Sequence, residues 1–258
     1  MHEKHKQNFT RFEDAVRALD SALTELARDV IRGSLDLSLP ENREFLAHPD
    51  DRQQHQAHWH HWGIISHTRV FLQHFEVDIP HLLKGWGLWD PVATYLDQRI
   101  DGVTKWDLLK ITILLHDIGK FAARTRGRTA FHFSGHEVRT GEIIRQNIDL
   151  ASYGLTKDQI EYVASTAEDH FVLGRLRKRI RERGAFTIDF VKGEEFRNLA
   201  LQIRSEHPDD YREIGILFLG DSLAKTKGTL GPEEALDQHG VNVDAAHRYL
   251  QIVMSAPC

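Results

Sequence analysis

Apolar residues near the start of the chain recur at alternating steps of three and four, which is the spacing of one helix face. The pattern predicts a helix from about Thr10 to Arg32, and Gly33 would end it. The seam consists of Phe9, Phe12, Val16, Leu19, Leu23, Leu26 and Val30. A seam this narrow is typical of a helix packed on its own domain or of a coiled-coil contact in a homodimer, and three heptads do not decide between them.

Helical periodicity continues along most of the chain. A connection over residues 33–53 is followed by a predicted helix from about Gln54 to Phe75. Residues 79–102 look irregular except for a short helix near 92–100, and residues 186–191 look briefly strand-like. Further helices are predicted before residue 116, after residues 136 and 156, over 192–206 and 209–227, and in the tail, with Thr104, Ser134 and Thr156 as N-caps.

These patterns predict an all-α fold. At 258 residues the chain can bury a sizeable core as one large domain or as one domain with extensions. We expect an N-terminal helix and connection over residues 1–53, a helical bundle over residues 54–230 and a helical tail over residues 231–258 packed on the same globule.

Charge and cysteine content narrow the function classes. A net charge of −5 argues against wholesale coating of nucleic acid, although it allows a local basic patch. Cys258 is the only cysteine, so one chain can form neither a disulfide nor a cysteine zinc site. No apolar signal core follows Met1, and no run approaches the roughly 18 apolar residues that span a bilayer. We expect a cytoplasmic protein with no membrane partner.

The hydrophobic run that ends at residue 115 leads directly into His116 and Asp117, followed by Gly119 and Lys120. Burying a histidine and a carboxylate together is costly unless a partner satisfies both. A divalent metal is an economical partner, because imidazole nitrogen and carboxylate oxygen are good ligands for first-row ions. The adjacent pair therefore indicates a metal site if other segments supply more ligands.

Several other polar residues interrupt apolar helix faces or lie at helix ends. Among the histidines of residues 55–74 we select His67 over His60 and His61, because an apolar stretch follows it. His136 falls in a first helical turn, His170 near a helix end, and Asp221 in the middle of an apolar helix. Each has a structural alternative: His170 as a polar end-cap, for example, or Asp221 paired with Lys225 one turn later.

Two basic segments stand out. The loop over residues 124–129 contains Arg124 and Arg126, and it is either a solvated surface loop or a site for a phosphate. The run over residues 175–183 is either a solvated helix face or a contact for RNA or polyphosphate.

In chain order, the candidate ligands resemble the H…HD…H…H…D signature of the HD superfamily of metal-dependent phosphohydrolases. The resemblance covers roughly residues 55–228, and the passage from Leu114 to His170 is most similar to the HD domain of some bacterial tRNA nucleotidyltransferases. No nucleotidyltransferase head domain precedes it, so we expect a free-standing HD protein. The Gly-Tyr-Pro signature of HD-GYP phosphodiesterases is missing after the HD pair.

The resemblance implies a site and a chemistry. The metal ligands would be His67, His116, Asp117 and Asp221, with His136 and His170 as the additional pair in members with two ions bridged by the Asp of the HD pair. Six candidates favour two divalent ions over one, and the nitrogen and oxygen donors suit Fe or Mn ahead of Co, Ni or Mg. Asp117 and Lys120 would be catalytic, and the substrate phosphate would contact Lys120, Arg124, Arg126 or Lys225. Glu168 or Asp169 would orient a histidine ligand.

The implied function is hydrolysis of a phosphate ester of a nucleotide or related metabolite by a metal-bound hydroxide. The same six ligands also resemble those of HD-fold di-iron oxygenases, which use dioxygen. A third hypothesis is a nucleotide sensor or RNA-binding module without catalysis. The expected partners are a small phosphorylated substrate, RNA more weakly, and a second copy of the chain through the N-terminal helix.

Overall fold

A computed structural model describes residues 12–55, 60–127, 130–182, 186–225 and 232–255, with side chains at 12–55, 60–127, 130–180, 186–225 and 241–255. The helices are α1 (Phe12–Ser34), α2 (Pro40–Ala47), α3 (Ile64–Glu76), α4 (Asp78–Gly85), α5 (Trp89–Leu96), α6 (Lys105–Leu115), α7 (Lys120–Ala123), α8 (His136–Gln146), α9 (Lys157–Asp169), α10 (Val172–Glu182), α11 (Ile188–Lys192), α12 (Glu194–Glu206), α13 (Tyr211–Leu223) and α14 (Pro232–Ser255). The predicted all-α class is confirmed.

Strands form only two small antiparallel pairs in the described ranges. β1 (Arg99–Ile100) pairs with β2 (Val103–Thr104), and β3 (Thr125–Arg126) pairs with β4 (Phe131–His132). Short 3₁₀ turns cover Arg52–Gln54 and Leu150–Tyr153. No described helix is both long enough and apolar enough to pass through a membrane.

The chain divides into two compact units. The first contains residues 1–69 and 96–168, and the second contains residues 70–95 and 169–258. The predicted boundaries near residues 53 and 230 stay predictions.

Helix α1 uses its apolar seam inside the first unit. Leu19, Leu23 and Val30 of the seam are buried, and α1 packs against α2, α6 and α7. The predicted helix is confirmed, although Thr10 lies outside the described residues. The prediction that Gly33 ends the helix is wrong, because α1 continues through Gly33 to Ser34. The homodimer stays a prediction.

Helix α6 follows the predicted hydrophobic run. The hydroxyl of Thr104 accepts a hydrogen bond from the backbone N–H of Asp107 at 3.1 Å, which confirms the predicted N-cap. Residues 111–115 are all buried, so the last part of α6 is buried on every side where it leads into His116.

The helix predicted from Gln54 to Phe75 is wrong in its first half, because α3 begins only at Ile64. The carboxylate of Asp50 accepts hydrogen bonds from the backbone N–H and the hydroxyl of Ser66, at 2.8 and 2.5 Å. A Cβ on Gly63 would lie 1.9 Å from the carbonyl oxygen of Asp50, so the chain folds back on itself before α3 starts. Residues 55 and 60 therefore lie in a loop, and residues 56–59 are outside the described ranges.

The second unit is centred on α13, whose residues 213–223 are all buried, and which packs against α4, α10 and α14. The hydroxyl of Tyr249 donates to the carbonyl oxygen of Tyr211 at 2.8 Å. Two sequence predictions are wrong here. Residues 79–102 contain the regular helices α4 and α5, and the strand-like residues 186–191 begin helix α11, where Thr187 is the N-cap. The short helix predicted near residues 92–100 is present as α5 but begins earlier, at Trp89. At residues 186–191 the cap at Thr187 outweighs a weak strand-like pattern.

Candidate metal centre

Three predicted ligands meet in the first unit. The side chains of His67, His116 and Asp117 are 0, 0 and 2% exposed, and one ligand atom from each lies within 4.8 Å of the others. The Nε2 atoms of His67 and His116 lie 3.9 and 3.3 Å from Oδ2 of Asp117. Ligand atoms about 2.1 Å from one ion are about 3 to 3.5 Å apart, so the cluster fits a single ion after small side-chain movements.

Two of the histidines are held in the same way. Nδ1 of His116 lies 2.8 Å from the carbonyl oxygen of Ile113, and Nδ1 of His136 lies 2.9 Å from that of Phe133. A carbonyl oxygen only accepts, so each Nδ1 carries a proton and donates it. Each Nε2 is then turned to Asp117, and a backbone-anchored imidazole in this orientation is typical of metal ligands.

The two carboxylate oxygens of Asp117 face different partners. Oδ2 lies near His67 and His116, whereas Oδ1 lies 3.3 Å from Nε2 of His136. A carboxylate that presents one oxygen to each of two ligand groups has the arrangement of a bridging ligand.

The charge state of Asp117 suits a cation. Burial raises its pKa, but in the metal-free protein the charges of a doubly protonated His116 and of Lys120, with hydrogen bonds donated by the Nε2 atoms of His116 and His136, outweigh burial and hold the pKa well below its usual range. Asp117 is thus a carboxylate at neutral pH, the form that binds metal.

Lys120 lies against the same carboxylate. Its buried ammonium donates to Oδ2 of Asp117 at 2.7 Å and to Nε2 of His55 at 3.1 Å. Nδ1 of His55 lies 3.0 Å from the carbonyl oxygen of Trp62, which fixes the proton on Nδ1 and leaves Nε2 as the acceptor. Burial, followed by the charge of Lys120, lowers the pKa of His55 well below its usual value, so the ring stays neutral.

Sequence reasoning placed His55 on a helix and gave it no role. In the structure, His55 stacks on His60 with ring centroids 3.9 Å apart, and His60 meets His67 edge to face at 4.9 Å. The only sequence signal for a role of His55 was the high number of histidines over residues 55–67. Its meaning depends on the loop that folds back before α3.

Thr140 connects the turn after α6, at residues 116–119, to helix α8, which carries His136. The hydroxyl of Thr140 accepts from the backbone N–H of Gly119 at 3.0 Å and donates to the carbonyl oxygen of His116 at 3.1 Å. A Cβ on Gly119 would lie 2.1 Å from the carbonyl oxygen of His136. Gly119 is needed for this close approach and not for a left-handed turn, since its φ is −64°.

The start of α8 differs from the prediction. Gly135, with φ 75°, occupies the N-cap position, and the predicted N-cap Ser134 lies one residue earlier. Glycine adopts this left-handed conformation without a steric penalty, and the chain can thereby turn His136 inwards at the first position of the helix.

The predicted phosphate contacts Arg124 and Arg126 lie in different surroundings. Arg124 is buried with its guanidinium 3.5 Å from the ring centre of Phe131, and its terminal nitrogens donate to the Glu41 carbonyl, Asn42 and Gln54. Arg126 is exposed and lies 3.8 Å from Glu41. Arg124 is therefore used in packing, and phosphate binding by either arginine stays a prediction.

Of the remaining predicted residues, His170, Asp221 and Lys225 belong to the second unit, and Glu168 belongs to the first. His170 and Asp221 are both buried, and Lys225 donates to Asp221, which is the pairing that the sequence offered as the structural alternative. Their roles as ligands, and contact of Lys225 with phosphate, stay predictions. Glu168 accepts from Arg145 at 2.9 Å, so an ion pair occupies it.

Among the described side chains of α10, Arg175, Lys178 and Arg179 of the basic run are exposed, while Leu173 and Ile180 are buried; the side chain of Arg181 lies outside the described residues. An exposed basic face of this kind agrees with a solvated helix surface. Arg183 lies outside the described residues, and a contact with RNA stays a prediction.

No protein-family model matches the chain, and no curated protein matches it.

Proposed function

We propose that this protein is a metal-dependent phosphohydrolase of the HD type that cleaves a phosphate ester of a nucleotide or related metabolite. The observation that carries the proposal is the convergence of His67, His116 and Asp117 on one buried point, with the Lys120 ammonium 2.7 Å from the same carboxylate. A buried set of three metal-binding groups is costly to maintain without a cation.

The donor set supports a divalent transition metal. It combines imidazole nitrogen with carboxylate oxygen and has no thiolate, which suits Fe, Mn, Co or Ni. The second oxygen of Asp117, 3.3 Å from His136, supports the proposal of a second ion. Divalent ions bound here would supply an activated water near neutral pH and polarise the oxygens of a phosphate ester.

Lys120 supports an anionic substrate. Its ammonium is anchored by Asp117 and by the neutral ring of His55, so a fixed positive charge lies directly beside the proposed metal site. A preorganised cation stabilises charge that develops on a phosphoryl group. Dioxygen carries no charge for such a group to bind, and for this reason phosphate ester hydrolysis is proposed ahead of oxygenase chemistry.

The test is a screen of phosphomonoesters, cyclic phosphodiesters and dinucleoside polyphosphates with Mn²⁺ or Fe²⁺, in air and under anaerobic conditions. We expect phosphate ester cleavage that does not need oxygen. His116→Ala and Asp117→Asn should abolish the activity. Elemental analysis should show that each variant binds about one equivalent of metal fewer than the unmodified protein.

His81→Ala is the matched control, because His81 is an exposed histidine on α4. It should keep the metal content and the activity of the unmodified protein. Absence of transition metal from unmodified protein supplied with Mn²⁺ or Fe²⁺ would overturn the proposal, as would turnover that depends strictly on oxygen.

A further inference from the structure

A second group of metal-binding side chains lies within the second unit. It consists of Asp169 at the end of α9, His207 at the end of α12 and Asp210 directly before α13. Nδ1 of His207 lies 2.7 Å from Oδ2 of Asp169 and 3.9 Å from Oδ1 of Asp210. One ligand atom from each residue lies within 4.8 Å of the other two.

Asp210 is the unusual member of this group. The residue is 7% exposed, and its Oδ2 atom has no hydrogen-bond partner among the described residues. Its side chain does not cap α13, although it occupies the N-cap position. A buried carboxylate oxygen without a donor is costly unless the group is protonated or a cation binds it.

The surrounding charges favour a cation as that partner. Burial, the negative charges of Asp169 and Glu213, a hydrogen bond with Asp169 and the charge of Asp209 together raise the pKa of Asp210 to about 8. Glu213 is already satisfied, because both of its oxygens accept from the hydroxyl of Tyr95, at 2.7 and 2.8 Å. The nearby Arg212 guanidinium lies over the rings of Tyr95 and Tyr211, at 4.3 Å from each ring centre.

We infer that Asp169, His207 and Asp210 bind a divalent transition metal ion such as Zn²⁺. Ligand atoms about 2.1 Å from such an ion are about 3 to 3.5 Å apart, and the two measured separations of 2.7 and 3.9 Å bracket this range. Two carboxylates with one imidazole suit Zn²⁺ or Mn²⁺ better than Ca²⁺, which prefers oxygen alone. Binding through Nδ1 would leave the ring proton of His207 on Nε2, and the proton that Asp210 holds at neutral pH would be released to solvent.

The inference does not depend on the proposed phosphohydrolase activity, and the test uses variants that separate the two sites. The full-length protein, His207→Gln, Asp210→Asn and Asp209→Asn are dialysed against Zn²⁺ at pH 7, and bound zinc is measured by elemental analysis. We expect His207→Gln and Asp210→Asn to bind one Zn²⁺ fewer than the unmodified protein. Asp209 is exposed, so Asp209→Asn should bind as much as the unmodified protein does.

The same comparison in a His116→Ala background removes the contribution of the first-unit cluster. There, Asp210→Asn should still remove one equivalent, whatever the outcome for phosphatase activity. Unchanged zinc content in both backgrounds would overturn the inference.

A second measurement uses only the unmodified protein, so it does not depend on whether a variant folds. Crystals of the unmodified protein soaked in Zn²⁺ should show an anomalous difference peak within bonding distance of His207 and both carboxylates. A map without density at this position, at a zinc concentration that fills other sites, would refute the site.

Discussion

Nζ of Lys120 lies 2.7 Å from Oδ2 of Asp117, and both side chains are buried. The lysine supplies the nearest full positive charge to a carboxylate that also faces three histidines. A metal ion bound by Asp117 would take over part of this neutralising role. If Asp117 binds a metal as proposed, we expect this pair to link the stability of the first unit to metal binding.

We expect Lys120→Met to destabilise the metal-free protein by about 3–5 kcal/mol, because the substitution leaves a buried carboxylate without its cation. Addition of Mn²⁺ should restore a larger share of the stability of this variant than of the unmodified protein. Thermal denaturation with chelator and with Mn²⁺ measures both effects.

Lys110→Met is the control for this experiment, since Lys110 makes a more exposed ion pair with Asp107 at 3.3 Å. It should cost less than about 1 kcal/mol and should not depend on metal. An equal loss for the two variants would contradict a special role of Lys120.

Thr140→Val should weaken metal binding without removing a ligand. The valine has the same shape but leaves the Gly119 N–H and the His116 carbonyl without their partner, at a cost of about 1–3 kcal/mol. Metal affinity, measured by competition with a chelating dye, should fall, and Thr140→Ser should restore it.

Thr112→Val is the matched control for Thr140. The hydroxyl of Thr112 is also buried, but it donates only to the Leu108 carbonyl of its own helix. Its replacement should leave metal affinity unchanged. Equal losses in the two valine variants would mean that Thr140 acts only through general stability.

Gly119→Ala should destabilise the protein by about 1–3 kcal/mol or more, because its Cβ would collide with the backbone of α8. Gly33→Ala is the control: a Cβ there meets nothing within 4 Å, and Gly33 lies within α1. That substitution should stabilise by about 0.5–1 kcal/mol. Chemical denaturation compares the two, and equal effects would argue against the close approach at Gly119.

Asp210 should make stability fall as pH rises in the presence of a chelator. Because its folded pKa of about 8 exceeds the ordinary value of 3.8, the folded state holds a proton that the unfolded state has lost in this interval. The slope from this group is at most about 1.4 kcal/mol per pH unit. The contribution of Asp210 to stability is complete at pH values below its ordinary pKa of 3.8. It is lost as the pH rises through its folded-state pKa of about 8.

Denaturation between about pH 5 and 8 should therefore show a smaller decline with pH for Asp210→Asn than for the unmodified protein. Asp209→Asn removes only the smallest of the causes that raise the pKa of Asp210, so its curve should lie close to that of the unmodified protein. Parallel curves for all three proteins would show that the pKa of Asp210 is not raised.

Much of the fold was readable from local patterns. The seam of α1, the caps at Thr104 and Thr156, and the apolar run that ends at His116 all depend on residues within a few positions of one another. These interactions form in the same way wherever the segment lies, so sequence spacing is sufficient to predict them. The prediction for α11 was wrong, because five residues are too few to show a periodicity. The N-cap at Thr187 favours a helix there.

The sequence by itself determined that His116 and Asp117 leave a buried helix together and that other helices and loops carry further ligands. Only the tertiary structure decided that His55 reaches Lys120 from 65 residues away and that Thr140 bridges to Gly119. The position of each contact depends on how the chain folds back before α3 and on the close approach of α8. No local pattern encodes such distances, because they result from packing among segments that are remote in the chain.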